Sequence, residues 1–128
     1  MTVTLDDIVV MCVVASGGPS DAPAAFQALE APLKSLKGRR FYGTYLAGEY
    51  RACVAIEPSD DPAALGLPTW TIPGGKFEKR KLTDWQSRLP EIAATFIAMA
   101  REFDADESRP SVEFYRSSHE LVLFLPVN

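Results

Sequence analysis

The sequence predicts an α+β fold in which two β-α-β-β units form one curved antiparallel sheet, with two helices on one face and a central ligand groove on the other. Three observations carry that expectation. Residues 8–57 read as strand, helix, strand, strand, and residues 69–127 repeat the order. Between them lies "PSDDPAALGLP", Pro58 to Pro68, a turn-rich connection through which no strand continues. Each unit covers one sheet face with its own helix and leaves the other bare, so pairing the units builds a groove at the pseudo-two-fold.

The elements follow from local pattern. "IVVMCVVA", Ile8 to Ala15, is apolar at nearly every position, as in a strand buried on both faces. After "SGGPS", Ser20 or Asp21 offers an N-cap and Pro23 sits in the first turn. Ala25, Phe26, Leu29, Leu33 and Leu36 then recur at helical spacing up to Gly38, with Pro32 marking a kink or a break. "RRFYGTYL" and "YRACVAIE" are rich in β-branched and aromatic residues and are joined by "AGE", the composition of a hairpin. "TWTIPGGKFEKRKL" is extended chain interrupted at "PGG", a bulge or a sharp bend. A second helix is expected from a Thr83 or Asp84 cap through Trp85, Leu89, Ile92, Phe96, Met99 and Phe103, with Pro90 tolerated in the first turn or at a kink. "DADESRP" breaks the chain, and "SVEFYR" with "ELVLFLPV" makes the last hairpin.

The bulk numbers bound the function. At 128 residues the chain is the size of one domain, 1–128, with a core of its own. A net charge of −4 speaks against a general affinity for phosphate backbones, so no direct nucleic-acid binding is expected. The one basic cluster, "KFEKRKL", is short, contains Glu78 and reads as a solvated strand edge. The longest apolar run is far short of the ~20 residues of a membrane span, and the chain begins without a basic leader, so a cytoplasmic, membrane-free protein is expected. Cys12 and Cys53 lie in apolar strand patterns with no CxxC partner and read as buried structural thiols. A single histidine, His119 in the turn "SSHEL", excludes the multi-histidine metal motifs; neither a metal nor a cofactor is expected. "PGGK" lacks the spacing of a phosphate loop.

Within "SVEFYR" one carboxylate, Glu113, interrupts a strand. Strand side chains alternate, so Val112 and Phe114 share one face while Ser111, Glu113 and Tyr115 share the other. The apolar pair is expected to pack on the helices, which directs Glu113 and Tyr115 to the opposite, concave face. Two readings are open at this point. Glu113 is an exposed residue paired with Arg116, Arg109 or a lysine of "KFEKRK", or it is a groove acid among aromatic rings that an organic cation would neutralise.

"LKGRRFYGTY", "GEYRACVAI", "TIPGGKF" and "SRPSVEFYRSSHELVLFLPV" resemble the GyrI-like small-molecule-binding family, the effector-binding domain of AraC-type and multidrug-sensing bacterial regulators, with its duplicated SHS2 fold. The resemblance runs from about Ile8 to Val127. It rests chiefly on the Ile-Pro-Gly-Gly turn and on a Glu two residues before a Tyr, ahead of a closing Leu-Pro-Val. It implies a groove in which an acid from the penultimate strand meets cationic or amphipathic organic ligands. That acid maps onto Glu113, with Tyr115 beside it, and Tyr42, Tyr50, Trp70 and Trp85 are the candidate groove aromatics. For each of the four, core packing is the alternative, most of all for Trp85 at the head of a helical stripe.

With about seven residues before the first strand there is no room for the helix-turn-helix of the regulator members, so a stand-alone module is expected. The function implied is binding of a drug-like or toxic cation for sensing, sequestration or transcription-related signalling, with gyrase or a regulator as a possible protein partner. The alternative is a metal-independent hydrolase of strained, cyclopropane-containing genotoxic compounds, with Glu113 and Tyr115 as its acid-base pair. An edge strand could pair two copies, which leaves monomer and homodimer both open.

Overall fold

A computed structural model describes all 128 residues. The strands are β1 Thr2–Leu5, β2 Ile8–Ala15, β3 Phe41–Leu46, β4 Glu49–Ala55, β5 Thr69–Ile72, β6 Gly75–Thr83, β7 Ser111–Tyr115 and β8 Glu120–Pro126. The helices are α1 Ala22–Glu30, the one-turn α2 Pro62–Leu65 and α3 Leu89–Glu102. No helix is long and apolar enough to cross a membrane.

All eight strands form one antiparallel sheet in the order β1-β6-β8-β7-β3-β4-β2-β5. The order is symmetric about the β7–β3 pair, with β6-β8-β7 mirrored by β3-β4-β2. The outermost strands are exchanged between the halves. β1 leads into β2 but pairs with β6, while β5 leads into β6 but pairs with β2. Each exchange is made through a two-residue link, Asp6–Asp7 and Pro73–Gly74. Because those links are so short, the two ends of the sheet must come together, and the sheet curls into a half-barrel.

The curl decides where the core sits. On the face without helices a single apolar cluster draws on Val10, Tyr42, Cys53, Ile72, Phe77, Val112 and Phe124, with Val3 and Leu5 packed against it, so every strand contributes. On the helical face the core is divided. α1 buries Ala25 and Leu29 over Met11, Ala52 and Val54, and α3 buries Met99 over Leu121, Leu123 and Leu125. The cleft between these two clusters runs along β3 and β7.

The α+β class, the curved antiparallel sheet and the two helices on one face agree with the sequence; several details differ. β1 was not expected. α1 ends at Glu30: the Ala31 N–H still donates to Gln27 O at 3.0 Å, but Pro32 has no N–H with which to continue the ladder. The second helix begins at Leu89 rather than at Thr83 or Asp84: β6 continues to Thr83, Asp84 adopts a left-handed backbone with φ 53°, and Trp85–Ser87 form a separate 3-10 turn. Pro90 falls in the first turn of α3. "PGG" is the bend at which the chain leaves β5 for β6. A Cβ at Gly74 would lie 2.4 Å from Leu5 O, so glycine there lets the two links cross.

Candidate functional site

Glu113 sits in the central strand β7, opposite Gly43 of β3 on one side and Leu123 of β8 on the other. Paired residues of an antiparallel sheet share a face, and Leu123 packs under α3. Glu113 therefore faces the helices, at the floor of the cleft between them, and the expectation that it faces away from them is corrected. Alternation separates Glu113 from Val112 and Phe114 but does not say which set meets the helices. Val112 and Phe114 are taken by the helix-free face, whose curl requires apolar side chains from every strand.

The carboxylate is held by two phenols. Tyr50 Oη donates to Glu113 Oε1 at 2.7 Å, Tyr115 Oη donates to the same oxygen at 2.6 Å, and the two hydroxyl oxygens lie 3.2 Å apart. Glu113 Oε2 receives no donor from the protein and is not among the sealed polar atoms without a partner, so it keeps an opening to the cleft. No cation approaches. Arg116 pairs with Glu120, Arg109 with Asp106, Arg80 with Glu102 and Lys81 with Glu120, which disposes of the surface ion-pair reading of Glu113.

Aromatic rings wall the acid. Phe26 of α1 meets Tyr115 edge-on at 5.3 Å and lies 6.5 Å from both Tyr50 and Phe41. From the other side Trp85 meets Tyr115 at 5.1 Å, its indole N–H donating to Ser117 O at 3.0 Å. Further along α3, Glu102 reaches Arg80 on β6. At 100° per residue, Leu89 and Ala93 then occupy the flank turned from β6 toward the cleft, and Ile97 lies further out, about 160° from the buried Met99. Leu89 and Ile97 are 55% and 54% exposed.

Burial pushes the Glu113 carboxyl above its ordinary range, and the two phenolic hydrogen bonds only partly offset this. Burial and the neighbouring carboxylate push both Tyr50 and Tyr115 upward, so the phenols stay protonated as donors. The site is thus a poorly solvated acid without a counter-charge, lined by π-faces and apolar side chains.

Of the sequence-predicted residues the structure brings Glu113, Tyr115, Tyr50 and Trp85 together. Tyr42 and Trp70 lie on the other face of the sheet. Tyr42 stacks on Phe114 at 5.0 Å, and Trp70 is covered by the Arg51 guanidinium at 4.3 Å. A shallow depression of about 390 Å³ opens on that side, by Leu5, Ile8, Arg40 and Tyr42, away from Glu113. Three site residues escaped the sequence reading. Phe26 and Phe41 carried only core signals. Gly43, in "FYGTY", is a glycine inside a strand, which marks a close approach: a Cβ there would fall 2.0 Å from Tyr50 Oη and 2.6 Å from Glu113 Oε1.

No protein-family model and no curated protein matches the chain. Solved structures share the fold at low identity. An integron cassette protein from Vibrio cholerae superposes with a TM-score of 0.68 at 14% identity, over 100% of this chain and 95% of the other. A protein solved with tetraphenylphosphonium bound gives 0.63 at 14% identity, over 100% and 93%. A hydrolase from Listeria innocua gives 0.63 at 13% identity, over 100% and 90%.

Proposed function

We propose that this chain is a GyrI-like small-molecule-binding protein whose ligand is an organic cation with an apolar, aromatic body. The ligand sits between α1 and α3 with its charge over Glu113. The observation that carries this reading is the carboxylate itself: partly buried, hydrogen-bonded on one oxygen, open on the other and without a basic partner. Such an acid costs folding free energy that a ligand cation can recover. The rings of Phe26, Tyr50, Trp85 and Tyr115 attract the same cation through their faces, and the exposed flank of α3 gives an apolar body a surface to cover. The structural neighbour that holds tetraphenylphosphonium supports the same ligand class.

Titration of the purified protein with tetraphenylphosphonium, followed by tryptophan fluorescence, tests the reading. Wild type is expected to bind saturably, and Glu113→Gln to bind on the order of tenfold to a hundredfold more weakly, the scale of one charge-assisted contact. Triphenylphosphine oxide, similar in bulk but neutral, is expected to bind weakly to both. Equal affinity of the two proteins for the cation would remove Glu113 from the site.

A second reading rests on the raised Glu113 carboxyl beside two phenols, which suits a general acid for opening a strained ring without metal. The hydrolase neighbour is compatible with it. It requires product formation from a cyclopropane-containing electrophile that disappears in Glu113→Gln; binding without turnover in wild type excludes it.

A further inference from the structure

Cys12 of β2 and Cys53 of β4 are register partners, and both side chains enter the same apolar cluster on the helix-free face. The backbone bonding shows which kind of pair they form. Ile56 N–H donates to Val9 O at 3.1 Å, so Val9 and Ile56 are a hydrogen-bonded pair. Alternation makes Val10 with Ala55, and Cys12 with Cys53, non-hydrogen-bonded pairs. The Cys12 N–H accordingly turns away from β4 and donates to Pro68 O at 3.0 Å. Such pairs hold their Cα atoms about 4.5 Å apart, inside the ~4.4–6.8 Å window that a disulfide spans without backbone movement. Both thiols are free, and the chain has no other cysteine.

We infer that Cys12 and Cys53 are an oxidative modification site, closing into an intramolecular cross-strand disulfide when the protein meets a low-molecular-weight disulfide. This inference is independent of the cation site. With oxidised glutathione, the Cys12 thiolate attacks one sulfur, the glutathione disulfide breaks, and one glutathione leaves as thiolate to take up the proton that Cys12 lost. The Cys53 thiolate then attacks Cys12 Sγ; the Cys12–Cys53 bond forms, the mixed disulfide breaks, and the second glutathione leaves with the Cys53 proton. Two electrons pass from the cysteine sulfurs to the oxidant.

Cys12 reacts first because it is the less enclosed and lies on β2, the strand next to the sheet edge, whereas the Arg51 guanidinium opposes the upward push of burial on both thiols. Burial pushes the Cys53 thiol up as well, so the exchange is slow and waits on fraying of β5, the four-residue edge strand bonded to β2 on the Cys12 side. The resulting bond ties β2 to β4, the strand that carries Tyr50.

The folded protein is incubated with oxidised glutathione at mildly alkaline pH, quenched, unfolded, labelled with maleimide and weighed. The expected product has lost both free thiols, is two hydrogens lighter, carries no glutathione, keeps its circular dichroism and is restored by dithiothreitol. Cys53→Ser, which lacks the resolving thiol, is expected to accumulate a glutathione adduct at Cys12. Wild-type thiols that stay free, a stable glutathione adduct on wild type, or a disulfide found only between chains would each overturn the inference.

Discussion

Gly43 faces Glu113 directly across the β3–β7 pair, and the space that a methyl group would take at Gly43 is filled by the Tyr50 hydroxyl. The first prediction follows from that relation. Gly43→Ala is expected to drive Tyr50 off Glu113 at a cost of about 1–3 kcal/mol, the scale of overpacking a core. Tyr50→Phe alone removes a single hydrogen bond, about 0.5–1.5 kcal/mol. Urea midpoints rank the two variants; if Gly43→Ala is as stable as wild type, the close packing at the acid is not maintained in solution.

The pH dependence of stability has a definite sign. Burial raises the folded carboxyl of Glu113 above its unfolded value of 4.5, so the folded state holds that proton more tightly. The stabilisation from the protonated acid is complete below pH 4.5 and is lost as pH rises through the folded value. Glutamine keeps an oxygen for both phenols without ionising. Glu113→Gln is therefore expected to have a higher urea midpoint than wild type at neutral pH, with the difference closing toward pH 4.

Ligand affinity should run the other way. A cation needs Glu113 ionised, so tetraphenylphosphonium affinity is expected to rise with pH through the raised carboxyl value and then level off. In Glu113→Gln the same titration should be flat over that range. A pH-independent wild type would mean that the ligand charge is met elsewhere.

How much of this is legible in the sequence depends on how local each feature is. The period-two pattern of "SVEFY" suffices to separate Glu113 and Tyr115 from Val112 and Phe114. It does not tell which set meets the helices, because that is decided by the curl of all eight strands and by two-residue links at opposite sheet ends. β1 is invisible for the same reason: "TVTL" is only four residues long, and its Thr2 bonds to Glu78, 76 positions away. Trp85 reads as the head of a helical stripe, yet the left-handed Asp84 places it in its own turn, where it packs on the edge of the α3 core and also reaches Tyr115. Tyr42 and Trp70 carry the same aromatic signal as Tyr50, and only register places them on the far face. The meeting of Cys12 and Cys53 is likewise a fact of register.

The crossing of the two links gives the last prediction. Gly74 passes beside backbone atoms of Leu5 and Asp7 that cannot rotate out of the way, and Arg109 clamps the passage. Its Nη1 donates to Gly74 O at 3.2 Å, its Nη2 to Lys76 O and Val127 O at 2.9 Å, and its Nε to Asp106 at 2.7 Å, with the guanidinium over the Phe77 ring. A lysine keeps the charge but not the fork, so Arg109→Lys is expected to lose about 1.5–3 kcal/mol, the range for hydrogen bonds to a charged group. Bonds from Ser108 and Arg109 hold the Asp106 carboxyl down to about 2, against an ordinary 3.8. Its stabilisation is therefore present above pH 3.8 and is lost as pH falls toward 2. Removing the guanidinium raises that carboxyl, so the variant should begin to unfold at a higher pH than wild type in an acid titration followed by circular dichroism. Coincident acid transitions would show that Arg109 does not fasten the crossing.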